Sequence, residues 1–275
     1  MSYLEITDTH FGFFDALAMR QKGADLHDKY ASAEPFPHIA IDNFCSPEIL
    51  EACLDAFPKT PDPDSRTFDR DQERYKTSFN PDFLSPQLRS FFYSLNSRPF
   101  IQFLENMTGI QGLIPDPYFT GGGFHQTKTG GHLDVHADFN YHRKLGLHRR
   151  LNLLIYLNKD WQEGFGGELE LWDSKMEHRL HCIVPLFNRC VVFSTSDESY
   201  HGHPSPVSHP QGESRRSIAL YYYTATWDES ARPKTTQFKP RPESGDKVDW
   251  AVKRREIIND WLPPIVVRGL NKLRH

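Results

Sequence analysis

Residues 130–140, GGHLDVHADFN, bring two histidines and two aspartates into one short stretch. In an extended strand alternate side chains share a face, so His136 and Asp138 project together while Ala137 points away. An imidazole and a carboxylate at that spacing reach adjacent coordination positions of one ion. Alone, H-x-D is a weak signal, because a chain with 14 histidines makes such pairs readily. A third ligand must come from elsewhere, and SDESYHGHPSPV supplies His201 and His203 after the apolar run CVVFST. Two histidines and one carboxylate form the facial triad of non-haem iron, which keeps coordination positions open for a cosubstrate and oxygen. His201 and His203 have the same parity, so alternation does not choose between them.

A cation follows the distal histidines. GESRRSIALYYYTA opens a strand with Arg215 and Arg216, and a planar guanidinium fork suits a carboxylate of a dicarboxylate cosubstrate. Arg215 shares a face with the small residues Ser217 and Ala219, which leaves room inside a barrel. Arg216 shares one with Ile218 and Leu220, a bulkier face suited to packing against helices. Parity by itself leaves both arginines open as the anchor.

These residues need strands to hold them. From about residue 114 short apolar runs rich in β-branched and aromatic residues alternate with glycine or charged turns: residues 150–158, 167–173, 181–186, 190–195 and 216–225. No helical pattern of ten residues separates them, so parallel crossovers are improbable and an antiparallel sandwich or barrel is expected. About 65 residues lie between the two halves of the triad, enough for several strands that return both to one barrel mouth. Gly166 and Gly167 are expected to turn a hairpin. Upstream, SPEILEACLDAFPK has proline at the first helical position and Ile49, Leu50, Cys53, Leu54 and Phe57 on one face, an amphipathic helix. The polar stretch TPDPDSRTFDRDQERYKT reads as an exposed loop, and the following SPQLRSFFYSLNSRPFIQFLENMTG as helices.

In order, H-x-D, a strand ending YLNKDW, GGELELW, PLFNRCVVF, the distal histidine and R-x-S-I-A-L resemble the iron(II)- and 2-oxoglutarate-dependent dioxygenases, prolyl 4-hydroxylase-like branch. The resemblance spans roughly residues 120–227; the N-terminal helices match in general character and the tail does not. It implies a mainly β fold with supporting helices around a double-stranded β-helix, the jelly roll of the cupin type. It implies Fe(II) held by His136, Asp138 and His201, with His203 the second choice, and 2-oxoglutarate held by Arg215, Tyr156 and Ser217. Gln126 stands where relatives often carry a tyrosine near the other end of the cosubstrate, and Leu133 where they tend to carry an aromatic. The implied reaction couples decarboxylation of 2-oxoglutarate with O2, giving succinate and carbon dioxide, to hydroxylation of a C–H bond. Asp138 argues for hydroxylation over halogenation, since related halogenases vacate that position. The rival classes are a cupin-like metal enzyme or module without 2-oxoglutarate and a jelly-roll carbohydrate-binding protein.

The acceptor is less legible. Asp134, Asn140 and Arg143 are candidate contacts, and the run His142, Arg143, Lys144, His148, Arg149, Arg150 reads as a solvated basic loop or an anion-recognising one. These features suit a polar small molecule, a carrier- or glycan-linked group, or a peptide. A net charge of -4 over 275 residues gives no basic field for nucleic acid. Four cysteines without a C-x-x-C pair read as reduced thiols of a cytoplasmic protein, and no apolar run is long enough to cross a membrane. Three regions are expected: residues 1–113 as helical support, 114–228 as the β core, and 229–275 as a basic, aromatic tail that docks on the core or touches a membrane surface or partner.

Overall fold

The computed structural model describes residues 1–8, 13–61, 64–225, 237–241, 246 and 250. Four helices, α1 (Ala16–Ala31), α2 (Pro47–Asp55), α3 (Pro86–Leu95) and α4 (Arg98–Thr108), precede most of the sheet. Each of α2, α3 and α4 has proline in its first turn, where the missing N–H is unneeded. Helix α4 places Phe100, Phe103, Leu104 and Met107 on one stripe, all fully buried, each worth about 1.5–3 kcal/mol of transfer free energy. It stops at Gly109, whose φ of 74° is the left-handed conformation that glycine adopts without strain.

Ten longer strands carry the architecture: β1 (His38–Ile41), β2 (Arg66–Arg70), β3 (Glu73–Phe79), β4 (Gly123–Ala137), β5 (Leu147–Tyr156), β6 (Leu169–Trp172), β7 (Arg179–Ile183), β8 (Cys190–Ser194), β9 (His201–His203) and β10 (Arg215–Thr224). Their hydrogen-bonded order is β7-β6-β9-β4-β10-β5-β8-β1, all antiparallel, with the β2–β3 hairpin added beside β4. The long β4 pairs β10 through its first half and β9 through its second, so it belongs to both sheets of a nearly closed jelly roll.

Strand parity sorts the core into two. Leu151, Leu153, Ile155, Ile218, Leu220 and Tyr222 face the helices and join Phe100 and Leu104 in one cluster. Tyr156, Leu169, Leu171, Val191 and Phe193 form a separate cluster inside the barrel.

Three expectations change. The polar stretch read as a loop contains the β2–β3 hairpin, whose exposed β2 face has no apolar alternation to betray it. Together with β1 it makes the N-terminal region a contributor to the sheet as well as a support. Gly166 and Gly167 turn no hairpin, because β5 and β6 are not neighbours. Instead the chain crosses between sheets there, and a Cβ on Gly166 would sit 2.0 Å from the Pro206 carbonyl oxygen. All four cysteines are free, Cys45, Cys53 and Cys190 buried and Cys182 exposed. Among the described residues no helix is long and apolar enough to cross a membrane. The tail reading lies largely outside the described residues; within them, Gln237–Phe238 pairs with Ala137 and His136.

Candidate active site

Inside the barrel a cavity of about 80 Å3 is lined by His136, Asp138, His201, His203, Arg215 and Ser217, among others. His136 is the penultimate residue of β4 and His201 begins β9, and the two are register partners across the ladder. The His136 Nδ1 lies 2.8 Å from the Asp134 carbonyl oxygen, and the His201 Nδ1 lies 2.9 Å from that of Ser199. A carbonyl only accepts, so each Nδ1 donates its proton and each Nε2 turns its lone pair toward Asp138. Those Nε2 atoms stand 3.7 Å and 3.3 Å from the two oxygens of Asp138, which lies one residue past the end of β4. Ligand atoms of His136, Asp138 and His201 all fall within 4.8 Å of one another. His203 is outside this group, although it lines the same cavity.

Asp138 is held from behind. Asn152 Nδ2 donates to its Oδ2 at 2.6 Å and Arg149 Nη2 approaches the same oxygen at 3.1 Å. Burial alone would raise this carboxyl, but the Arg149 guanidinium with His201 and His136 holds it well below the usual carboxylate range. Burial lowers His136 against a smaller opposing pull from Asp138, favouring the neutral ring that a metal requires.

Arg149 is 3% exposed, with its guanidinium 3.5 Å from the Tyr221 ring centre and 4.5 Å from that of Phe139. In the sequence it belonged to a solvated basic run. A register shift at Tyr222/Tyr223, which pair with Leu151 and Arg149, accommodates one extra residue and turns Arg149 inward with Asn152, Leu154 and Tyr156. Simple alternation puts it on the other face, so no parity argument could have found it.

The second half of the cavity is cationic. Arg215 is 4% exposed; its Nε donates to the Gly167 carbonyl at 2.7 Å and its Nη2 lies 3.3 Å from the Tyr156 hydroxyl. A Cβ on Gly167 would lie 2.7 Å from the Arg215 Cδ, so glycine makes room for this arginine. Arg216 points the other way, to Glu213. The Ser217 Oγ and His203 Nδ1 are buried with no partner among the described residues. Burial, then Arg215 and Lys76, holds His203 well below its ordinary value.

Four expected contacts lie off the cavity. Gln126 sits on the face of β4 shared with Phe124, which packs against Phe57 and Phe92; its neighbour His125 lines the cavity instead. Asp134 does not share the His136 face. Three residues of β9, His201 to His203, lie opposite four of β4, His136 to Leu133, and this bulge directs Leu133 rather than Asp134 inward. The Asp134 carboxylate lies 3.5 Å from His132, and burial with the nearby charge of Asp246 pushes it up to about 6. Arg143 is exposed and neither it nor Asn140 lines the cavity. The sequence reading missed Lys76 and His125 as lining residues, one because its strand was read as a loop.

Gly202 permits the bulge. A Cβ there would lie 2.8 Å from the Asp134 carbonyl oxygen and 2.9 Å from that of Leu133. Gly202→Ala should push β9 from β4, spoil the His136–His201 register and weaken Fe(II) binding at least tenfold while the fold persists. Metal titration followed beside circular dichroism checks it.

Residues 122–223 match the family model of the 2OG-Fe(II) oxygenase superfamily. That match lies within the β core. A mouse protein named prolyl 3-hydroxylase OGFOD1 is 28% identical over 121 residues, covering 42% of this chain and 20% of that protein. The chain thus spans about a fifth of the length of this curated relative. A prolyl-4-hydroxylase from Pseudomonas putida superposes with a TM-score of 0.53 at 14% identity, over 74% of this chain and 100% of that one. Prolyl 4-hydroxylases from Phytophthora capsici give a TM-score of 0.50 at 17% identity, over 79% and 69%. At these identities the structures show the shared fold. A 2OG-Fe(II) oxygenase works with ferrous iron, 2-oxoglutarate and dioxygen, and the donor set here fits them. Two Nε2 lone pairs and one ionised carboxylate suit iron, while Arg215 and the unpartnered Ser217 and His203 atoms offer a dicarboxylate its contacts.

Proposed function

We propose that the chain is an Fe(II)- and 2-oxoglutarate-dependent dioxygenase that hydroxylates an unactivated C–H bond of a polar small molecule, a carrier- or glycan-linked group, or a peptide. The observation that carries this reading is the pairing, in one buried cavity, of the His136–Asp138–His201 donor set with a desolvated arginine. His136, Asp138 and His201 would hold the iron, and Arg215 with Tyr156 and Ser217 would take the carboxylate of 2-oxoglutarate farthest from it. The bound iron supplies the oxidation, coupling cosubstrate decarboxylation to oxygen insertion.

The chain's own residues do the positioning. The Asp134 and Ser199 carbonyls fix the tautomer and plane of the two imidazoles. Asn152 and Arg149 keep the Asp138 carboxylate ionised and aimed. Burial raises the Tyr156 phenol, which therefore stays protonated and can donate to a carboxylate. Leu169, Phe193 and Leu154 close the apolar side of the cavity against water. Four free cysteines favour a reducing, cytoplasmic setting.

The purified chain should release succinate from 2-oxoglutarate only when Fe(II) and O2 are both present, read by NMR of the reaction mixture. Anaerobic Fe(II) with 2-oxoglutarate should give a metal-to-ligand charge-transfer band in the visible. Metal binding with neither succinate nor that band would instead support a cupin-like module that does not use 2-oxoglutarate.

A further inference from the structure

Above the buried cavity lies a second chamber of about 220 Å3, sharing Lys76, His125, Leu133, His136, Asp138 and Tyr221 with it. Its outer wall is the β2–β3 hairpin. Arg66, Phe68 and Arg70 alternate along β2 and all three line the chamber, while Thr67 and Asp69, of opposite parity, do not. Lys76 and Ser78 line it from β3 and Arg149 from β5. Four cations thus meet two carboxylates, Glu73 and Asp138, and both carboxylates are already engaged: Glu73 with Lys76 at 2.8 Å and Arg70 at 3.4 Å, Asp138 with Arg149. Arg149 Nη1 is buried with no hydrogen-bond partner among the described residues, its other nitrogens being taken by Asn152 and Asp138. A buried guanidinium N–H without an acceptor is costly unless something that enters the chamber supplies one.

The chamber is a groove. It continues into a further cavity of about 240 Å3 past Asn80 and Tyr118, the two sharing Arg66, Ser78, Thr120 and Gly121. Phe68, Phe139 and Tyr221 offer apolar faces between the cations.

The geometry points to an extended, acidic polypeptide segment as the acceptor, its carboxylate or phosphate side chains read by Arg66 and Arg70 and a backbone carbonyl or acidic group by Arg149. This rests on the oxygenase reading of the site, because that reading makes the groove the approach to the metal. Guanidinium forks bind carboxylate and phosphate alike, so the side-chain chemistry has two sources to be told apart. A lysine-flanked segment would meet like charge at Arg66, Arg70 and Lys76 on the chamber wall.

The test uses full-length protein loaded with Mn(II) and 2-oxoglutarate, and four fluorescein-labelled peptide pools with a randomised central residue flanked by glutamate, phosphoserine, glutamine or lysine. Anisotropy should show the glutamate or phosphoserine pool bound at least tenfold more tightly than the glutamine pool, more weakly at raised salt, and the lysine pool unbound. Which acidic pool wins assigns the anion. The Arg66→Gln/Arg70→Gln double variant should lose that preference about tenfold, while Lys29→Gln on α1 leaves it intact. Equal binding of acidic and neutral pools, no binding by either, or a preference that survives the double substitution overturns the inference. Succinate release by the unaltered protein is measured separately. Its presence with indifferent peptide binding sinks the acceptor alone, and its absence with acid-selective binding sinks the oxygenase reading alone.

Discussion

His136→Ala is expected to abolish Fe(II) binding and to reduce succinate release more than ~100-fold, because altering a residue that merely supports a ligand already costs 10–100-fold. His201→Ala should do the same, and His203→Ala should leave metal binding intact. The distinction follows from geometry: His136 and His201 aim Nε2 atoms at Asp138 with their other nitrogens fixed by carbonyls, whereas His203 lies outside that cluster. Asp138→Ala should remove the metal too, with a second consequence absent from the histidine variants. Arg149 would be left 3% exposed with its charge unanswered, and breaking a buried pair on one side typically costs about 3–5 kcal/mol. The aspartate variant should therefore melt measurably lower than either histidine variant. Isothermal titration with Fe(II) or Mn(II) under anaerobic conditions, with thermal melts alongside, checks both parts. Metal binding lost on His203→Ala but retained on His136→Ala would reverse the ligand assignment.

What the sequence disclosed follows the reach of strand alternation. Where β10 and the run from Leu151 to Tyr156 in β5 keep a strict two-residue period, parity separates Arg215, Ser217 and Ala219 from Arg216, Ile218 and Leu220, and the structure has them on those faces. At the bulges alternation fails. Asp134 looks like a neighbour of His136 until four residues of β4 must lie opposite three of β9, and Arg149 looks like a loop residue until the shift beside Leu151 turns it inward. Both irregularities lie next to the His136–Asp138–His201 cluster. The Gly166–Gly167 pair was misread for a related reason. Two adjacent left-handed glycines suit a hairpin locally, but here they clear space for Pro206 and Arg215 from distant parts of the chain, a demand no local pattern reveals. The β2–β3 hairpin escaped because its exposed strand is charged on both faces, and its inward row of Arg66, Phe68 and Arg70 carries one apolar residue among three.

Arg215→Ala should raise the KM for 2-oxoglutarate roughly 100-fold, with kcat at saturating cosubstrate less affected, while Arg216→Ala changes neither. Two charge-assisted hydrogen bonds to one carboxylate are together worth about 3 kcal/mol, and each 1.4 kcal/mol is about a factor of ten. The guanidinium is poised for that load, with Nε committed to the Gly167 carbonyl and Nη2 beside the Tyr156 hydroxyl. A carboxylate binding there would meet donors from Arg215, Tyr156 and Ser217 together. Arg215→Lys should fall between, because it keeps a cation but loses the planar fork and the contact with Gly167. Tyr156→Phe should raise the same KM by about tenfold or less, the cost of one neutral donor. Initial rates of succinate release across a range of 2-oxoglutarate concentrations check the series. An unchanged KM in Arg215→Lys and Arg215→Ala would move the cosubstrate anchor elsewhere, with Lys76 next to be tried, since among the described residues it is the other cation that lines the buried cavity.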